Sequence, residues 1–158
     1  MIQTWRISAE TGAYKANDTS GLGAKLTGGR WNRIGTALVY TSTTQALACL
    51  ETIVHFNTPG LPLNRYLVRF DIPDDIWQKR ETLTADVIDA GWDALPAGST
   101  SMNIGDKWVK ENRSCLLLVP SVIVPEELNV LINPAHPDAQ SITATTIRKW
   151  LYDTRVTA

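Results

Sequence analysis

The stretch from Ala37 to Phe56, ALVYTSTTQALACLETIVHF, decides the fold class. Ala37-Leu38-Val39-Tyr40 reads as a short strand. Ser42-Thr43-Thr44-Gln45 then fits a capping box, with Ser42 as N-cap and Gln45 reaching back to it. The spacing predicts a helix to about Phe56 whose apolar stripe is Ala46, Leu47, Leu50, Ile53 and Val54. Glu51 falls at the edge of that stripe, so its carboxylate is expected to be partly buried.

Working outward, Ile2 to Ile7 reads as a strand with Trp5 and Ile7 on one face and Arg6 on the other. Residues 8 to 30 form a glycine-rich loop around Asn17-Asp18-Thr19-Ser20, and long loops in compact domains are usually functional. Downstream, Asn57-Thr58-Pro59-Gly60 closes the helix and Asn64 to Ile72 is an alternating strand. Thr84 to Ala90 is expected as a short helix ended by Gly91. Ser101 to Asn112 is expected as another helix, with Gly105 as its weak point. Strands follow at Cys115 to Val119 and Asn129 to Ile132, then a turn at Asn133 to Pro137. Threonine and isoleucine content favours a last strand within Ile142 to Tyr152. Strands mixed with short helices, without regular βαβ alternation, indicate α+β: one domain over residues 1–158 with a mixed sheet at its core.

Composition bounds the function. A chain of 158 residues, 44% hydrophobic and 20% charged, is an ordinary globular domain. Mean hydropathy is −0.10 and no run suits a membrane span. The N-terminus lacks a signal-peptide pattern, so a cytoplasmic location is expected. Cys49 and Cys115 sit in apolar runs and are expected to be free thiols. Two cysteines and two histidines far apart make a zinc site an unsuitable reading, and no metal is expected. A net charge of −1 with no basic run gives no support for direct nucleic-acid binding. The six tryptophans suit a core, a pocket or exposed anchors of a partner interface.

The chemistry gathers around Gly28-Gly29-Arg30-Trp31-Asn32. Two glycines let backbone amides and the Arg30 guanidinium approach one anion, and Arg30 can clamp a phosphate in a bidentate way. Arg6 can add a second charge; either arginine can instead pair with surface carboxylates. Glu51 can stabilise an oxocarbenium ion or act as a base, or it can simply contact His55 one turn on. Tyr40 can stack on a ring, donate its hydroxyl or fill the core. Ser121 ends an apolar strand, where it can face a cleft or close a turn. The chain contains no GxSxG nucleophile elbow, Walker motif or GxGxxG fingerprint. His136, in Asn-Pro-Ala-His-Pro, suits a structural turn.

Together these residues resemble the RES-domain family. The resemblance rests on Trp5-Arg6, Gly28-Gly29-Arg30-Trp31-Asn32, Val39-Tyr40-Thr41-Ser42, the helix ending in Leu50-Glu51, Gly105-Asp106-Lys107-Trp108, Leu118-Val119-Pro120-Ser121 and Asn133-Pro134-Ala135-His136-Pro137. The set spans most of the chain, and its order is far more specific than any one piece. The first aromatic–arginine pair is Trp-Arg where Tyr-Arg or Phe-Arg is commoner.

The resemblance implies a type II toxin with a fold like that of ADP-ribosyltransferases, paired with an Xre-like helix-turn-helix antitoxin that would supply the DNA contact. It implies NAD⁺ as substrate rather than redox cofactor, with the nicotinamide–ribose bond cleaved by phosphorolysis or hydrolysis; inorganic phosphate is then a candidate co-substrate. On that reading Arg30 and Arg6 meet the pyrophosphate or an attacking phosphate. Glu51 meets the ribose and the developing cation, and Tyr40 the nicotinamide-ribose part. Ser42, Ser121 and Asn133 complete the pocket. Transfer of ADP-ribose to a macromolecule is the alternative for the same site, and a non-catalytic binding module is a third. A homodimer within a toxin–antitoxin complex is left open.

Overall fold

A computed structural model describes residues 1–56 and 60–157. Seven strands form one sheet in the order β4-β5-β6-β2-β1-β3-β7. They are β1 (Ile2–Ala9), β2 (Val39–Ser42), β3 (Arg65–Ile72), β4 (Glu81–Thr82), β5 (Leu116–Pro120), β6 (Leu128–Ile132) and β7 (Thr143–Lys149). Only the β4–β5 pair is parallel, so the sheet is mixed and the α+β reading holds.

β5 is the continuous apolar run Leu116 to Val119, and it is buried along its whole length, as a strand covered on both faces should be. β7 is the opposite case: an edge strand rich in threonine and mostly exposed. β1 pairs with β3 along its full length but meets β2 at one residue pair, Trp5 opposite Ser42. That seam divides β4-β5-β6-β2 from β1-β3-β7.

Side-chain alternation sorts the core. Val39, Val68, Phe70, Ile72, Leu116, Leu118, Val130 and Ile132 pack together in one cluster. Trp31, Leu38, Trp92, Trp108, Leu117, Val119 and Leu131 form a second, with Tyr40 packed against it. Ile7, Ala48, Leu67 and Tyr152 form a third, which seats helix α2 (Gln45–Ile53) on the sheet.

Several local expectations are corrected. The segment 8–30 contains a helix, α1 (Leu22–Thr27): Gly21 and Gly28 are its two caps, not loop residues. Ser42 is not an N-cap. β2 runs on to Ser42, and Thr44 caps α2 by accepting from the Leu47 amide. The helix stops at Ile53, and its buried face is Leu47 and Ala48; Ala46 and Val54 are exposed. The closing turn expected at residues 57–60 lies outside the described residues except for Gly60. Asp74–Gln78 forms a short helix, α3, behind Pro73. Residues 84–90 form turns rather than a helix. The expected second helix is α4 (Ser99–Glu111).

No tryptophan is exposed. Trp31, Trp92 and Trp108 are buried, and Trp5, Trp77 and Trp150 are half-buried, so exposed tryptophan anchors for a partner are absent. Cys49 and Cys115 are free. Burial pushes the Cys115 thiol up to about 12, with the charge of Asp138 adding to it. No described helix is long and apolar enough to cross a membrane.

Candidate active site

Gly105 is a packing residue rather than a weak point in α4. A Cβ there would lie 1.7 Å from the Trp31 carbonyl oxygen, so only glycine lets the helix rest on the backbone of the 28–32 turn. The next residue, Asp106, accepts from the Arg33 amide at 3.1 Å and from its guanidinium at 3.0 Å. Trp108 is then buried beneath the turn with Trp31. The Gly-Asp-Lys-Trp sequence is thus the support on which Arg30 is mounted.

The turn is held from its other side by Tyr40. Its hydroxyl donates to Asn32 Oδ1 at 2.6 Å and accepts from the Trp31 amide at 3.0 Å. Burial raises the Tyr40 pKa far above its ordinary value, so the phenol stays protonated and donating. The hydroxyl comes so close that a Cβ at Gly29 would lie 2.7 Å from it. Asn32 is fully buried, and its amide nitrogen donates to the carbonyls of Ala24, Arg33 and Thr36.

This geometry changes the anion-cradle expectation. The Gly28 amide donates to Ala24, the Gly29 amide to Asn32 and the Trp31 amide to Tyr40. Those three amides hold the turn together and are not free for an anion. Arg30 Nη1 donates to the carbonyls of Trp92 and Ala94, both at 2.9 Å. Partial burial lowers the Arg30 pKa, while the charges of Glu51 and Asp93 work against that. The side chain stays charged.

Glu51 is presented by α2 to the mouth of the β5–β6 hairpin. Ser121 Oγ and Asn129 Nδ2, one from each arm, both donate to Glu51 Oε1 at 2.7 Å. Among the described residues no hydrogen bond falls on Oε2. The alternative contact with His55 does not form; His55 is exposed. The fully buried Ser121 hydroxyl also accepts from the amides of Ile123 and Val124. Asn129 Oδ1 in turn accepts from Ser42 Oγ at 2.7 Å.

Glu51, Ser121 and Ser42 are therefore brought into one hydrogen-bonded chain, with Arg30 close enough for its charge to be felt. Tyr40 braces the turn that carries Arg30. Two expected site residues are not drawn into this cluster. Arg6 projects on the same face as Val68, its register partner, and the Asp18 carboxylate is near enough for its charge to act on it. Asn133 lies four residues along the strand direction from Asn129, roughly 13 Å away. There it donates to Asn112 Oδ1 at 2.9 Å and accepts from the Ala135 amide, tying the end of α4 to the sheet. Asn129 is the residue that the sequence reading missed. Its signal was a polar side chain on the same face as Leu131, in register with Ser42. Among the described residues no group of three or more His, Cys, Asp or Glu is placed to hold a metal ion.

A family model described as RES domain matches residues 3–154. A Sphingobium sp. (strain YBL2) protein named Prs ADP-ribosylating toxin is 57% identical over 152 residues, covering 96% of this chain and 94% of that protein. A Photorhabdus laumondii protein named Toxin Res is 39% identical over 125 residues, covering 79% and 78%. A Yersinia enterocolitica protein of the same name is 37% identical over 131 residues, covering 81% and 82%. Among solved structures, a chain of the M. tuberculosis MbcT-MbcA toxin-antitoxin complex shares the fold with a TM-score of 0.58 and 16% identity. The match covers 92% of this chain and 84% of that one.

Proposed function

The chain belongs to the RES-domain family, and we propose that it is a cytoplasmic toxin that uses NAD⁺ as donor and passes the ADP-ribosyl group to a macromolecule. The observation that carries the reading is Glu51, fixed through Oε1 by two donors and open at Oε2, within reach of the Arg30 charge.

The chemistry follows from that arrangement. The C–N bond between nicotinamide and ribose breaks, and its electron pair leaves with the nicotinamide nitrogen, which becomes neutral. No general acid is needed for that departure. Positive charge develops on the ribose, and the open oxygen of Glu51 faces it, as in glycoside cleavage. Arg30 meets the pyrophosphate, which limits how the ribose can lie. The acceptor bonds to the ribose carbon and gives up its proton to solvent. NAD⁺ is consumed as substrate.

Sequence alone placed loss of NAD⁺ to water or phosphate ahead of transfer. The name of the Sphingobium relative supports reversing that order. The test is purified protein with adenine-labelled NAD⁺, a cell extract and, in a parallel arm, inorganic phosphate, followed by mass spectrometry. Label on a macromolecule is the expected outcome. Free ADP-ribose, or its anomeric phosphate, with no labelled macromolecule would make NAD⁺ depletion the activity.

We propose further that an Xre-like antitoxin covers the cleft and supplies the DNA contact that this near-neutral chain does not favour. The toxin names of its relatives support a silencing partner. An antitoxin complex that turned over NAD⁺ at the full rate would contradict the covering role.

A further inference from the structure

We infer that Asn129 and Ser42 are positioning residues for Glu51, acting in series, and that Ser42 serves the reaction without touching the substrate. The inference rests on the NAD⁺-cleaving reading above. Asn129 Nδ2 donates to Glu51 Oε1, and Ser42 Oγ donates to Asn129 Oδ1, both at 2.7 Å. An amide has a donor end and an acceptor end. Glu51 Oε1 accepts, so the amide turns its NH₂ to it, and the Ser42 hydroxyl holds the oxygen at the other end in place. If the amide turned over, its oxygen would face the carboxylate oxygen, and neither can donate.

The framework makes this relay rigid. Ser42 and Asn129 are register partners on β2 and β6. Asn129 is opposite Val119 on β5, two residues before Ser121. The two donors to Oε1 therefore come from opposite arms of one hairpin, while Glu51 comes from a helix. Glu51 is the mobile partner of the three: a long side chain with several rotamers, only partly buried. Ser121 alone would fix one direction of the carboxylate. The second bond from Asn129 onto the same oxygen fixes its rotation and leaves Oε2 without a hydrogen bond among the described residues. Ser42 is itself buried, with its hydroxyl committed to Asn129. It also stands at the single point where β1 meets β2, so the relay is anchored at the seam of the sheet.

The relay predicts a kinetic pattern that a substrate contact would not give. The measurement is nicotinamide release by the purified full chain, with a cell extract supplying the acceptor, over a range of NAD⁺ concentrations and with folding checked by thermal melting. Asn129→Ala is expected to lower kcat about 10²-fold with KM within roughly threefold, since a misplaced catalytic group costs about that much. Ser42→Ala, which removes only the bond that orients the amide, is expected to lower kcat roughly tenfold. The double variant is expected to be no slower than Asn129→Ala, because Ser42 has nothing left to orient. If Asn129→Ala fails to fold, Asn129→Asp takes its place in the cycle. It keeps the shape but sets a second carboxylate against Oε1, and the same loss of kcat is expected.

A rise in KM for NAD⁺ on Ser42→Ala with kcat preserved would overturn the inference and make Ser42 a substrate contact. Multiplying losses in the double variant would overturn it as well. A wild-type chain that releases no nicotinamide even with the extract present would refute the underlying reading instead, so the two failures are distinguishable.

Discussion

The Ser121 hydroxyl donates to Oε1 of Glu51 at 2.7 Å, across 70 positions of chain. The serine is fully buried and the glutamate only half-buried, so the pair joins the rigid interior to a part-exposed carboxylate. Its hydroxyl proton is committed to the carboxylate, and its lone pairs accept two backbone amides. A serine held in this way orients its neighbour.

Tyr40 tests how far the turn around Arg30 depends on one hydroxyl. Tyr40→Phe leaves the buried Asn32 Oδ1 without its donor and the Trp31 amide without its acceptor. The expected cost is about 2 kcal/mol, read as a fall in Tm of roughly 4–8 °C. An unchanged Tm with lost activity would return the hydroxyl to the substrate.

Gly105→Ala sets two effects against each other. Alanine favours a helix over glycine by about 1 kcal/mol. The added methyl, however, would lie 1.7 Å from the Trp31 carbonyl oxygen, so α4 and the turn must move apart. Overpacking of this kind costs about 1–3 kcal/mol or more, and the contact here involves backbone, which yields little. A net loss of stability is expected, together with a loss of activity as Arg30 shifts. A more stable variant would show that α4 can retreat freely.

Glu81 links stability to pH. Burial acts to raise its pKa, but hydrogen bonds from Ser114 and Arg113, and the charge of Arg113, outweigh that and hold it below the ordinary carboxylate value. A carboxylate depressed by folding contributes stability above its unfolded pKa of about 4.3 and loses it as pH falls through the folded value. Thermal melts from pH 6 to pH 3 should therefore fall less steeply for Glu81→Gln than for the wild type. Solvent screening keeps the difference small, since Glu81 is over a third exposed. Parallel curves would remove Glu81 from the acid sensitivity.

Glu51, Ser121 and the elements that carry them were partly legible, because an apolar strand and an amphipathic helix announce themselves in one dimension. Ser42 was read as a helix cap because Ser-Thr-Thr-Gln satisfies the capping pattern; Thr44, two residues later, satisfies the geometry. Asn129 was hidden for a different reason. A single asparagine at a strand start carries no local pattern, and its meaning comes from Ser42 and Glu51, which lie 87 and 78 positions away. Arg6 and Asn133 were expected beside Glu51, and neither joins its hydrogen-bonded chain. Shared membership in a recurring motif set does not place residues in one pocket, and here their contacts belong to the loop at Tyr14 and Asp18 and to the end of α4. The role of Gly105 was illegible because its partner is the backbone of a turn 74 residues earlier in the chain, from Trp31 to Gly105.

The most direct test of the central claim compares wild type with Glu51→Gln in a nicotinamide-release assay with a cell extract as acceptor, each protein first checked by thermal melting. The glutamine oxygen can still accept from Ser121 and Asn129, so the fold and Tm should be retained. What is lost is the negative charge facing the ribose. The account predicts a fall in rate of about 10²–10³-fold with an unchanged Tm. A folded Glu51→Gln that releases nicotinamide at the wild-type rate would contradict it.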